Sequence, residues 1–117
     1  MQALDLLVLS SGDSIRPIVF EKKRVTVPQG SGAKSLHGSV HFDSRVPSSE
    51  IVLAGFRFNY LSKDHHIDEI EIEFVRLGQQ PPDPNAVLFL VECKYQDKNG
   101  DDSWDGYVDL VVIAEIE

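Results

Sequence analysis

Turn-forming residues recur along this chain at short intervals. Groups of Gly, Pro, Asn, Asp and Ser lie at 11–13, 28–32, 47–49, 62–64, 80–84 and 98–101. The segments between them are rich in Val, Ile, Phe and Tyr, and none has the sustained helical periodicity and capping residues of a helix. We therefore predict an all-β fold, an antiparallel β-sandwich of about six or seven strands, near residues 3–9, 17–27, 36–43, 50–61, 67–77, 86–96 and 106–116.

Length, charge and cysteine content narrow the class of protein. The 117 residues fit a single domain, 1–117, in which we assign no role to residues 1–35. A net charge of -8 predicts that nucleic acid and anionic lipid are repelled. The one cysteine, Cys93, lies in an apolar segment and is predicted to be a small buried side chain. The apolar run at 6–9 has no basic leader and cannot span a bilayer, so we expect no membrane insertion and a protein that is cytoplasmic or exported by a non-standard route.

Alternation along the strands predicts which residues form the core, because successive side chains point to opposite faces. Four rows are expected to face inward: Val52, Ala54, Phe56, Phe58 and Tyr60; Ile70, Ile72 and Phe74; Val87, Phe89, Val91, Cys93 and Tyr95; and Val108, Leu110, Val112, Ala114 and Ile116. The carboxylates of Glu69, Glu71 and Glu73 alternate with one row and predict a solvated face rather than a catalytic pair.

Apolar residues also occur on the outer faces of three of these strands, where a half-exposed strand should be polar. If the strands are neighbours, their side chains form one apolar patch that a monomer would seldom leave exposed. We predict an oligomer interface formed by Ile51, Leu53, Leu88, Leu90, Val111 and Ile113. The alternative is that residues 1–30 fold back and cover the patch.

Two polar segments contain residue types that can bind metal ions, but neither has the ligand spacing that a metal site needs. His65 and His66 are adjacent on a strand and point apart, and His37 and His41 could join one of them only from a neighbouring strand. The acidic segment 97–105 has alternating oxygen ligands but lacks the calcium-loop glycine and glutamate positions. We predict no metal and no cofactor, with the histidines used for polar recognition and Asn99-Gly100 as a hairpin turn; calcium binding at 97–105 is the less favoured alternative.

Trp104 lies in an acidic, polar loop and not in an apolar row. A flat ring beside carboxylates is what a sugar site needs, because the ring packs on the apolar face of a pyranose and the carboxylates bind its hydroxyls. We predict a ligand site formed by Trp104, Tyr107, Asp101, Asp102 and Asp105. The alternative is that Trp104 folds inward and plugs the end of the sandwich. No Ser-His-Asp or Cys-His order, phosphate loop or dinucleotide motif occurs in the sequence, so no enzymatic activity is predicted.

The order of features from Ser39 to Ile116 resembles the H-type lectin domain. The resemblance is carried by Val40-His41-Phe42, Pro47, Ile51-Val52-Leu53, the charged strand 67–77, a long hairpin with an aromatic at its polar tip, and the apolar strand 107–116. It implies a lectin-like core at 36–117, assembly as a trimer or hexamer, and binding of N-acetylgalactosamine-type sugars between protomers. It also implies that Trp104 and Tyr107 supply the aromatic contact, and that His65 and His66 stand near the place of the family's basic residue.

Together these features favour a non-enzymatic carbohydrate-binding or adhesion module that works as a homo-oligomer, in which several weak sites gain strength by acting together. A structural assembly subunit without a ligand is the first alternative. A calcium-dependent binding module is the second.

Overall fold

The computed structural model describes residues 6–9, 15–61, 67, 69–77, 83–96 and 102–117. These residues form seven strands and no helix: β1 (Leu6–Leu9), β2 (Ile15–Gly30), β3 (Lys34–His41), β4 (Ser48–Tyr60), β5 (Glu69–Arg76), β6 (Ala86–Gln96) and β7 (Trp104–Glu115). The all-β prediction is confirmed, and each predicted strand overlaps one of the seven. Among the described residues, no helix has the length and apolar character needed to cross a membrane.

The strands form two antiparallel sheets. The front sheet has the order β1-β2-β7-β4, and the back sheet has the order β3-β6-β5. The two sheets pack face to face as a β-sandwich, with β7 and β6 as interior strands of their respective sheets. Strand β2 pairs with β7 from Ile18 to Gly30 in the plane of the front sheet. Residues 15–30 therefore lie beside the outer residues of β7 and do not fold over them as a cover.

The core lies between the two interior strands. The inward row of β7, from Val108 to Ala114, is 0% exposed, and Phe89 and Val91 on β6 are equally buried. Burying a large apolar side chain contributes about 1.5–3 kcal/mol, so these two rows contribute substantially to the stability of the fold. Cys93 is 3% exposed within the same cluster, which confirms the prediction of a buried cysteine.

Two glycines allow parts of the chain to approach closely. A Cβ atom on Gly106, whose φ is 155°, would lie 1.7 Å from the carbonyl oxygen of Arg57 on β4. A Cβ atom on Gly38 would lie 2.5 Å from the ring of Phe89. Gly106 thus lets β4 pack against the start of β7, and Gly38 makes room for the fully buried ring of Phe89 on β6.

A β-bulge in β4 changes which of its residues face the core. The register with β7 shifts between Leu53 and Gly55, so Ile51 pairs with Val112 before the bulge and Phe58 pairs with Gly106 after it. Inward positions are therefore 49, 51 and 53 on one side of the bulge, and 56, 58 and 60 on the other. The prediction that Val52 and Ala54 face the core is wrong, because it assumed an uninterrupted two-residue alternation.

Candidate functional site

Trp104 is buried at one end of the sandwich. Its side chain is 0% exposed, and its indole N–H donates a hydrogen bond of 3.0 Å to the carbonyl oxygen of Gly32. The rings of Phe58 and Tyr95 meet it edge-on, with centroids 4.8 and 5.8 Å away. The expectation that Trp104 is an exposed stacking platform is wrong, and the alternative of a plug at the sandwich end describes its position.

Strand phase explains this burial. Strand β7 begins at Trp104, two residues earlier than predicted, so Trp104 shares the inward phase of Val108 and Leu110. Its cross-strand partners are Tyr60 on β4 and Gly30 on β2. The acidic residues around it indicate a loop, but the strand places the side chain of Asp105 outside and the indole inside.

Lys34 closes the same end of the sandwich. Its Nζ lies 4.1 Å from the centre of a Trp104 ring and donates hydrogen bonds to the carbonyl oxygens of Trp104, at 2.8 Å, and of Pro28. Burial lowers the pKa of Lys34, with the nearby Cys93 and Asp105 acting in the opposite direction. The ammonium therefore links β3, β7 and the last residues of β2.

The outer side of the same strand carries a polar surface centred on Tyr107. Asp105, Tyr107 and Asp109 alternate along the outer face of β7. Tyr107 lies between Thr26 of β2 and Arg57 of β4 in the sheet. We call this surface the Tyr107 face, and its members are Arg24, Thr26, Arg57, Asn59, Asp105, Tyr107 and Asp109.

An ion pair fixes the geometry of the Tyr107 face. Arg24 donates two hydrogen bonds to Asp109, at 2.7 and 3.0 Å, and its guanidinium carbon lies 3.7 Å from the centre of the Tyr107 ring. The hydrogen bond from Arg24 lowers the pKa of Asp109, and the same contact raises that of Arg24. Because 57% of the Arg24 side chain is exposed, the outer side of the stacked guanidinium is open to solvent. The face therefore combines stacked planar groups with fixed donors and acceptors.

The other predicted ligand residues are only partly brought together. Asp105 and Tyr107 share the Tyr107 face, while Asp102 is half-buried at the entry to β7. Asp101, His65 and His66 lie outside the described residues, as do positions 97–101 of the predicted calcium loop. Sequence analysis missed Arg24, because its partner Asp109 is 85 residues away and only strand register brings them together.

The remaining polar groups do not converge. His37 and His41 lie on the outer face of β3, and His41 is 3.4 Å from Asp83. Glu69 is paired with Lys94 at 3.3 Å, on the outer face of the back sheet. Among the residues whose placement is described, no three His, Cys, Asp or Glu side chains are grouped closely enough to hold a metal ion.

The six predicted interface residues do not form one patch. Leu88 and Leu90 lie on the outer face of the back sheet, whereas Val111 and Ile113 lie on the outer face of the front sheet. Ile51 packs against the core, and Leu53, two residues further along and still before the bulge, lies on the same inward side but remains 42% exposed. A single patch is therefore excluded, because β6 belongs to a different sheet from β4 and β7.

Comparison with known proteins found no match: no family model, no curated protein and no solved structure is significantly similar to this chain.

Proposed function

We propose that the protein is a non-enzymatic carbohydrate-binding module that acts as a homo-oligomer and binds its ligand on the Tyr107 face. The observation that carries this proposal is the stack of the Arg24 guanidinium on the Tyr107 ring, held by the bidentate pair with Asp109. The stack presents a flat surface for the apolar side of a sugar ring.

The hydrogen-bonding groups around the stack fit hydroxyl recognition. Thr26 and Asn59 flank β7 as neutral groups that both donate and accept, and Asp105 supplies a carboxylate oxygen. Because the face lies on three paired strands, its groups hold their spacing without a ligand, which limits the entropy lost on binding. The site is open and shallow, so binding at each copy is weak and gains strength from several copies acting together.

A glycan array tests the proposal. We expect wild-type protein to bind a subset of glycans and Tyr107→Ala to lose at least tenfold in affinity, equivalent to about 1.4 kcal/mol. Glu73→Ala is the matched control, because Glu73 is an exposed residue on the outer face of the opposite sheet. A Tyr107→Ala variant that binds as the wild type does would refute the assignment of the site.

A structural assembly subunit without a ligand is the second candidate. The buried indole of Trp104 favours it, since the chain's one tryptophan serves the fold and not a ligand. The same array separates the two candidates. A folded oligomer that binds no glycan at high protein concentration would support the structural role and count against the carbohydrate-binding one.

A further inference from the structure

Strand β4 is the least protected edge of the sandwich. Among the described residues the sheet order leaves β1, β4, β3 and β5 at edges. Strand β1 has four residues, β3 carries a lysine and two histidines, and β5 carries three glutamates, all of which discourage pairing with another chain. Strand β4 has 13 residues without proline, and its residues 51–56 are six uncharged residues in succession.

The apolar side chains of this segment are exposed on both sides of the strand. Val52 on the outer side is 47% exposed, and Leu53 and Phe56 on the inner side are 42% and 44% exposed. The bulge produces this arrangement, since it brings Leu53 and Phe56 into the same inward phase while Val52 stays outside. Ile70 on the neighbouring edge of the back sheet is 43% exposed and extends the apolar surface.

The apolar segment of β4 has a neighbouring strand on one side, and a chain docked along the other side would cover its exposed side chains.

Charge complementarity identifies the docked chain as a second copy. Glu50 and Arg57 lie on the outer face of β4 at the two ends of the uncharged segment, and neither forms an ion pair within the described part of the chain. In an antiparallel pair with its two-fold axis between Leu53 and Ala54, Glu50 lies directly opposite the partner's Arg57. The same register places Ile51 opposite the partner's Phe56, with both side chains on the inner side.

We propose that β4 pairs with β4 of a second copy in this register, so that the two front sheets form one continuous sheet. The pair joins the unpaired edges of both β4 strands along residues 51–56, buries the apolar segment of each copy and forms two Glu50–Arg57 ion pairs. Such a pair is closed by its two-fold axis, and it can stand alone or serve as one contact of a larger assembly.

The pairing also orients the ligand surfaces. A two-fold axis perpendicular to the sheet leaves both Tyr107 faces on the same side, about 25 Å apart from strand spacing and residue rise. This consequence rests on the proposed function, whereas the pairing itself does not depend on sugar binding. A ligand with repeated sugars could then contact both copies at once, which raises its apparent affinity without new contacts.

Charge reversal tests the pairing. The mass of the assembly is measured by sedimentation velocity across a range of protein concentrations. We expect the wild type to contain two copies or a multiple of two. Glu50→Arg and Arg57→Glu should each weaken association at least tenfold, and the double variant should restore it. A wild-type monomer at all concentrations, or single variants that associate as the wild type does, would overturn the proposal. The readout is independent of sugar binding, so the β4 pairing and the assignment of the sugar site to the Tyr107 face fail separately.

Cysteine cross-linking tests the register. The double variant Glu50→Cys/Arg57→Cys should form a disulfide-linked dimer under mild oxidation, since the two positions face each other across the axis. Each single-cysteine variant is the matched control, because identical positions in the pair lie about 20 Å apart along the strand. The native Cys93 is buried and does not compete. Cross-linking by a single variant, or none by the double variant, would overturn the proposed register.

Discussion

Replacement of Trp104 by alanine should destabilise the fold severely. The indole is 0% exposed, lies between the rings of Phe58 and Tyr95, and donates a hydrogen bond to Gly32. Removing a buried tryptophan costs about 3–5 kcal/mol through lost packing and the cavity left behind. A domain of this length has a free energy of unfolding of about 6–18 kcal/mol, so the change removes a large part of it.

A graded series separates the contributions of packing and hydrogen bonding. Trp104→Phe keeps an aromatic ring but loses the N–H donor, so we expect a loss of about 2 kcal/mol, of which about 1 comes from the hydrogen bond. Tyr107→Ala removes a ring from the outer face and should cost less than Trp104→Ala. Trp104→Ala is consequently a poor test of ligand binding, since lost binding could simply reflect lost structure.

Urea unfolding followed by far-UV circular dichroism measures the series. With an m value of about 1–3 kcal/mol/M, Trp104→Ala should lower the midpoint by more than about 1 M. Because Trp104 is the chain's one tryptophan, its fluorescence in the wild type reports directly on this site. The buried position of Trp104 would be refuted if the folded protein emitted at the wavelength of tryptophan in water and if acrylamide quenched that emission readily. Equal and small effects of Trp104→Ala and Tyr107→Ala would refute it as well.

Three further perturbations follow from the packing and the ion pair. Gly38→Ala should cost about 1–3 kcal/mol of stability, because the added methyl group meets the buried Phe89 ring, while Gly30→Ala, with ordinary contacts, should cost less; thermal melts of the two variants measure the difference. Asp109 has a lowered pKa in the folded state, so its contribution is present above about pH 4 and is lost as the pH falls through the folded value. The melting temperature of Asp109→Asn should accordingly fall below that of the wild type at pH 7 and converge with it at low pH; a difference that persists in acid would contradict this. Burial raises the pKa of Cys93, so a thiol reagent at neutral pH should label it only after denaturant is added.

The strand pattern was predictable from the sequence because turn residues and alternation are local signals. The inward rows of β6 and β7 were assigned correctly, since neither strand is interrupted. The position of Trp104 was also encoded, because continuing the row of Val108 and Leu110 back by two steps reaches position 104. The acidic residues around it indicate a loop and so obscure that signal.

Two features depended on information that the local sequence does not contain. The bulge in β4 adds one residue relative to β7, and Gly55 is the one local hint of it. The contact between Arg24 and Asp109 depends on the register of β2 with β7, which is set by the packing of the whole front sheet. The Tyr107 face could therefore be predicted only in part, through Tyr107 and Asp105.

Apolar residues on both faces of a strand have one physical cause in this fold. In β6 and β7 the outer pairs Leu88–Leu90 and Val111–Ile113 are half-buried, because each strand has a paired neighbour on both sides. Strand β4 has the same two-sided apolar composition but is paired on one side, and its Val52 is correspondingly 47% exposed. Strands buried on both faces are continuous apolar runs, whereas exposed edges carry charge. The composition that predicts an interior position for β6 and β7 therefore predicts a neighbour for the free side of β4, and in the register proposed above a second copy of the chain supplies it.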